Sequence, residues 1–300
     1  MRVGYMGVGY MGHGAAKNIK LKGHDLIVLG NRNRKPVEDL LAIGATEAKN
    51  PADLASQCDI MFMCLPSTVQ VEETVYGPDG VLSVARPGFV LVDSTTSDPD
   101  STRRIGADLR AKGADMADAP LGRTPKEAEL GKLSCFVGGD TATVARVRPV
   151  IECFADSIVE TGELGSAHTM KLLNNFLAIC TSAVVGEGIA AALRLGVDLD
   201  VFKKVVDTSG GNGVMFQRFM PWVLEGDDSH MHGMMSIAYK DLKYYRKLAG
   251  QSDLVTIMAE AAAQLYALPN RLGHSRQFMS VLPTILANLS DGGKRPLPDR

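Results

Sequence analysis

The chain has little net charge, few aromatic residues and no ordered pattern of cysteine, and each shortage narrows what it can do. Its 300 residues carry 32 Lys and Arg against 34 Asp and Glu, a formal net charge of −2. So near-neutral a chain offers no basic footprint for a nucleic-acid backbone. Aromatic residues make up only 6%, yet 45% of the chain is hydrophobic. That is too apolar for a disordered or fibrous chain and sufficient for one large or two medium globular domains. Cys58, Cys64, Cys135, Cys153 and Cys180 form no CxxC and no Cys/His pairing. Their odd number and apolar neighbours point to reduced core thiols rather than a disulfide framework or a zinc site, and no metal is assigned. Uninterrupted uncharged runs fall short of the roughly 18 residues of a spanning helix, and glycines interrupt the N-terminal stretch where a signal peptide needs apolar residues. The expectation is a cytoplasmic chain with no nucleic-acid and no membrane partner.

What is present divides in two. Short apolar runs bounded by turn residues recur at 3–8, 26–29, 60–65 and 89–92, and more weakly at 115–119, 134–137 and 157–160. Helical stretches separate them, among them 12–22, 35–43, 53–57 and 101–112. This alternation predicts βαβ units on a doubly wound, mostly parallel sheet. After residue 164 the pattern changes. Residues 166–195 run without proline and are apolar all round, which predicts a buried central helix. Further helices are expected at 198–208, 215–224, 236–249, 254–268 and 278–289, with a break at Gly210-Gly211-Asn212-Gly213.

Gly7-Val8-Gly9-Tyr10-Met11-Gly12 is a GxGxxG that follows the first apolar strand and opens a helix. In that context the glycines allow a tight turn and close backbone approach, and the helix N-terminus faces a pyrophosphate. Gly7, Gly9, Tyr10, Met11 and Gly12 are therefore candidate dinucleotide-binding residues. The end of the second strand reads Gly30-Asn31-Arg32-Asn33-Arg34, with no acid to accept a ribose 2′-hydroxyl. Arginine can instead hold a 2′-phosphate through paired charge-assisted bonds, so Asn31, Arg32 and Arg34 point to NADP in preference to NAD. The chain is thus read as an α/β N-terminal Rossmann domain over 1–164, an all-α C-terminal domain over 165–290, and a flexible tail over 291–300 rich in Pro, Gly and charge.

Four further segments are specific: Asp93-Ser94-Thr95-Thr96-Ser97-Asp98-Pro99; Asp118-Ala119-Pro120-Leu121-Gly122-Arg123-Thr124 running on to Gly131-Lys132-Leu133; Gly165-Ser166-Ala167-His168-Thr169-Met170-Lys171-Leu172-Leu173-Asn174-Asn175; and Lys240-Asp241-Leu242. With the glycine loop they resemble the β-hydroxyacid dehydrogenase family, and their order covers nearly the whole chain. The resemblance implies a nicotinamide-dependent oxidoreductase with its site in the cleft between the two domains. It puts the catalytic acid/base on Lys171 and positioning amides on Asn174 and Asn175. It also places Thr96, Leu65 and Pro66 at the nicotinamide half of the cofactor, and has Lys240 reach the cofactor from the helical domain. Family members form dimers or tetramers, so a homo-oligomer is expected.

The residues support part of this independently. On a helix Lys171, Asn174 and Asn175 share one face, a polar patch among Leu172, Leu173, Phe176 and Leu177. Such a patch is costly to bury unless polar partners meet it. A lysine with a pKa lowered by desolvation can protonate the alkoxide left by hydride transfer, and can act as base in the reverse direction. His168, one turn earlier, is read as a supporting histidine rather than a catalyst. Where many family members have Val-Ser-Gly-Gly, this chain has Leu121-Gly122-Arg123-Thr124, similar to the Gly-Arg-Thr of sulfolactaldehyde reductases. Arg123 with Gly122, Ser94 and Thr95 would bind the anionic head of a small aldehyde or keto acid. The competing reading pairs Arg123 with Glu127 or Glu129. Two other functions are weighed: an imine reductase, against which Lys171 argues, and a catalytically silent dinucleotide-binding module, which would not need Lys171 and its amides.

Overall fold

The computed structural model describes residues 1–289, 292–293 and 295–297. Two compact units divide inside the long helix, Met1–Lys171 and Leu172–Arg300.

In the first unit, β1 (Arg2–Met6), β2 (Asp25–Leu29), β4 (Ile60–Met63), β5 (Val90–Asp93) and β6 (Asp115–Asp118) form a parallel array, with β3 (Thr46–Glu47) added beside β2. The strand order is β3-β2-β1-β4-β5-β6-β8-β7, with β9 (Ala155–Gly162) paired to β8 (Leu133–Gly138). β8 runs antiparallel to β6 and to β7 (Leu121–Gly122). The central strands are continuously apolar because both faces are covered. Ile60, Phe62, Val90 and Val92 pack into one core, and Met61, Met63 and Leu91 into another. This alternation follows from the two-residue period of a strand. Helices α1 (Gly12–Leu21), α2 (Lys35–Ala42), α3 (Pro51–Gln57), α4 (Thr68–Tyr76), α5 (Pro99–Arg110), α6 (Pro125–Glu129) and α7 (Thr141–Ile151) connect the strands. The expected α/β Rossmann domain is present.

The second unit is helical, with α9 (Leu199–Asp207), α10 (Val214–Glu225), α11 (Met235–Gly250), α12 (Ile257–Arg271) and α13 (Leu282–Asn288) following α8 (Ser166–Leu195). Its core gathers Ile179, Ile189, Phe219, Met235, Leu242, Tyr266 and Leu282. The expectation of a buried α8 is corrected: Met170, Leu173, Leu177 and Val184 are exposed, the last two at 65% and 61%. Apolar composition all round does not say which face this chain covers itself. α8 is also long and apolar enough to cross a membrane by length and composition, a test that core helices of soluble proteins pass too. Lys171, Glu187 and Arg194 interrupt its uncharged run, which by itself stays short of a spanning length.

The five cysteines are free thiols, and burial pushes Cys58 up to about 12. Of the expected flexible tail, positions 291, 294 and 298–300 lie outside the described residues. Within its described part, Arg295 exchanges two hydrogen bonds with Asn288, at 3.0 and 3.1 Å, and Leu297 packs on the helical core.

Candidate active site

The glycine loop sorts its own glycines. Gly7 has φ +92°, and a Cβ there would lie 2.1 Å from the Cys64 carbonyl oxygen; at Gly12 it would lie 2.0 Å from that of Gly7. Protein packing alone demands both. Gly9 is different: a Cβ there would meet nothing within 4 Å, and its φ is not positive. Its bareness keeps open the space before α1. The first turn of α1 holds no acid, and its N-cap, Met11, makes no side-chain cap bond. Uncapped amides and a bare glycine form a cradle that fits a pyrophosphate. Tyr10 stands 75% exposed beside it.

At the end of β2, Asn31 and Arg32 are exposed, and the Asn31 side chain accepts the Arg32 amide at 2.8 Å. Arg34 donates through both terminal nitrogens to Glu47, each at 2.7 Å. The loop itself contains no acid, as read, but the fold brings one from β3. The Arg34 hydrogen bond holds the Glu47 carboxyl below the usual range.

The ends of β4, β5 and β6 are tied together. Thr95 Oγ1 accepts the Leu65 amide at 3.0 Å, while Asp93 accepts the Thr95 amide at 2.9 Å and the Ser97 hydroxyl at 2.7 Å. Pro66 and Thr96 continue these two turns, Pro66 exposed and Thr96 half-buried. The buried Ser94 hydroxyl has no hydrogen-bond partner among the described residues. Asp118 accepts the amides of Gly165 and His168, both at 2.8 Å. His168 is fully buried, donates from Nε2 to the Thr95 carbonyl at 2.9 Å, and has Nδ1 2.8 Å from Thr102 Oγ1. It ties the start of α8 to the β5 turn.

Lys171 Nζ donates to the Leu121 carbonyl at 2.8 Å, which sets the ammonium beside β7 and next to Gly122. Behind it Cys135 is fully buried; burial, then Asp118, raises its thiol pKa, and Lys171 opposes the rise. Arg123 adopts φ +72°. It donates to the Lys132 carbonyl and, at 2.7 Å, to Asp156. An ion pair is therefore present, with neither acid expected from the sequence. Glu127 is engaged in a capping box with Thr124, and Glu129 is held by His13 at 2.5 Å and Lys17 at 3.0 Å. Asp156 lies far along the chain on β9, a pairing that only the fold creates.

In the helical unit the Asn175 amide donates to Asp241 at 2.7 Å, and Lys240 Nζ lies 3.3 Å from the other Asp241 oxygen. Asp241 is only 3% exposed and so depends on these two partners. Asn174 is exposed and lies 3.4 Å from Asn175.

Comparison with known proteins bears on the whole length. Residues 2–162 match the family model described as the NAD binding domain of 6-phosphogluconate dehydrogenase. Residues 165–285 match that described as NAD-binding of NADP-dependent 3-hydroxyisobutyrate dehydrogenase. The 3-sulfolactaldehyde reductase of Escherichia coli (strain K12) is 30% identical over 281 residues, covering 93% of this chain and 94% of the relative. This chain belongs to the β-hydroxyacid dehydrogenase family. The 2-(hydroxymethyl)glutarate dehydrogenase of Eubacterium barkeri is 27% identical over 94% of this chain and 93% of its own. Among solved structures, 3-hydroxyisobutyrate dehydrogenase from Salmonella typhimurium superposes with a TM-score of 0.84 at 27% identity, covering 95% of this chain and 99% of the other.

As a member of that family the chain is an enzyme that uses a nicotinamide dinucleotide, and the cradle at Gly9 fits that group. In the first unit the structure brings together Leu65 with Thr95, and Lys171 with the strand carrying Gly122. In the second it brings together Asn175 and Lys240 through Asp241. Sequence reasoning did not assign Glu47, Asp118, Asp156 or Asp241 to the site. Asp118 and Asp241 stood within recognised motifs and could have been proposed as anchors; Glu47 and Asp156 carried no local signal.

Proposed function

We propose that this member of the β-hydroxyacid dehydrogenase family interconverts a small anionic aldehyde or keto acid with its hydroxy acid, with NADP(H) as preferred cofactor and Lys171 as general acid/base. The observation that carries the reading is the bond from Lys171 Nζ to the Leu121 carbonyl, which holds the ammonium beside the strand that carries Gly122. The nicotinamide supplies hydride to the carbonyl carbon in reduction and takes it back in oxidation. As negative charge develops on the substrate oxygen, Lys171 gives it a proton; in the other direction the neutral amine removes one. Arg123 makes its ion pair through Nη1, so the remainder of its fork serves the substrate anion, with Gly122, Ser94 and Thr95 lining the same pocket. Asn174 and Asn175 orient substrate and lysine, as the family resemblance implies, with Asp241 steadying Asn175. Arg32 and Arg34 support the preference for NADP. The exposed apolar face of α8 supports a homodimer or homotetramer.

A screen of short aldehydes and hydroxy acids, sulfonated ones included, with NADPH and NADH run in parallel, tests the reading. Turnover of an anionic substrate that is lost in Lys171→Ala is expected; full activity in that variant overturns the mechanism.

A further inference from the structure

The acid missing from the loop after β2 is supplied from another strand. β3 pairs with β2 in register, Ile27 opposite Thr46 and Val28 opposite Glu47, and the ladder continues with Ala48 donating to Val28 at 2.9 Å. This delivers the Glu47 carboxylate to the carboxyl end of β2, where an open α/β sheet reads the ribose of a dinucleotide. A Cβ at Gly30 would lie 2.5 Å from Arg34 Nη1, 2.8 Å from Glu47 Oε1 and 2.9 Å from Val37 Cγ2. The volume of an acidic side chain at position 30 is therefore filled by the Arg34–Glu47 pair. The two guanidinium donors thus fix a side chain that is 27% exposed.

The two members of the pair favour opposite ligands. A guanidinium attracts a 2′-phosphate, whereas a carboxylate accepts a 2′-hydroxyl and repels the phosphate. Joined bidentately they carry no net charge, so Arg34 contributes less to phosphate binding than its own charge would allow. We propose that Glu47 is a specificity-determining residue that opposes Arg34 and Arg32, lowering the discrimination for NADP(H) so that NAD(H) remains a usable cofactor. Arg34 and Glu47 then set the ratio of the two affinities together. The inference rests on the proposed reading of residues 31–34 as the site of the 2′ substituent.

Binding alone tests it. The full chain and its Glu47→Gln, Glu47→Ala and Arg34→Ala variants are titrated with NADPH and NADH by nucleotide fluorescence. The same proteins are titrated with 2′,5′-ADP and AMP by calorimetry, which isolates the ribose end. Glu47→Gln keeps the shape and removes the charge; it raises the NADPH-to-NADH affinity ratio about three- to tenfold, as loss of one nearby negative charge at a solvated site should. Glu47→Ala moves the ratio the same way, and Arg34→Ala lowers it. An unchanged or lowered ratio in both Glu47 variants overturns the proposal. Failure of the underlying reading looks different. If wild-type protein prefers NADH, the NADP preference is wrong while the direction of the Glu47 shift still decides the role of Glu47. If Arg34→Ala and both Glu47 variants leave every ratio unchanged, the 2′ substituent lies elsewhere and both ideas fall.

Discussion

His168 shows how one buried side chain can order a site without joining its chemistry. Its ring spans the Thr95 carbonyl and the Thr102 hydroxyl, and its main-chain amide is held by Asp118. Removing the ring takes the His168 donor from the buried Thr95 carbonyl and leaves a cavity where the fully buried imidazole packed. His168→Ala should therefore destabilise the fold by about 2–4 kcal/mol, read from the urea midpoint. Lys171→Ala should behave in the opposite way. The lysine is only half-buried, so stability and NADPH affinity should stay near wild type while kcat falls about 10²–10⁴-fold. A mutant that binds NADPH normally and turns over normally would remove Lys171 from proton transfer. Arg123→Ala should mainly raise KM for the anionic substrate. An unchanged KM would confine Arg123 to its Asp156 pair. At this scale the sequence displayed the residues that sit in local motifs, such as Lys171, Asn175 and Gly9. It did not display Glu47 or Asp156, because a tertiary ion pair leaves no mark on the residues around either partner.

Elements were legible in proportion to their length. β1, β4 and β5 are continuous apolar runs and α5 has a clear amphipathic period, whereas β3 and β7 are two residues each, too short to carry any period. Caps are legible in the same local sense. Asp140 opens α7 and accepts the Thr143 amide at 3.0 Å and its hydroxyl at 2.9 Å, contacts that hold its carboxyl below the ordinary range, the amide contributing most. A carboxyl with a depressed pKa contributes stability above its unfolded value, near 3.9. That contribution disappears as pH falls through the lower folded value. Asp140→Ala should accordingly cost about 1 kcal/mol at neutral pH, and less as the pH falls below the unfolded value. Equal losses measured at pH 7 and in strong acid would refute the carboxylate's part in the cap.

At the scale of the whole molecule, near-neutrality conceals its useful charge. The excess of two acids says nothing about ligands, because the cations on which the proposed function rests, Arg32, Arg34, Arg123, Lys171 and Lys240, are local. The long helix poses the complementary problem for apolar surface. α8 leaves Met170, Leu173, Leu177 and Val184 uncovered, spaced three, four and seven residues apart along one face. Apolar residues repeated at this spacing form a stripe rather than scattered exposure, and burying such a stripe gains roughly 25 cal/mol per Å². A second copy of the chain is the occupant that the proposed homo-oligomer supplies. Light scattering across a concentration series should give a mass of two or four chains. Leu177→Lys, which puts a charge on the stripe without touching Lys171 or the glycine loop, should lower that mass while NADPH binding to the first unit persists. A wild-type protein that remains a monomer at every concentration would leave the stripe without the partner proposed for it, and an oligomer indifferent to Leu177→Lys would place the interface on another surface.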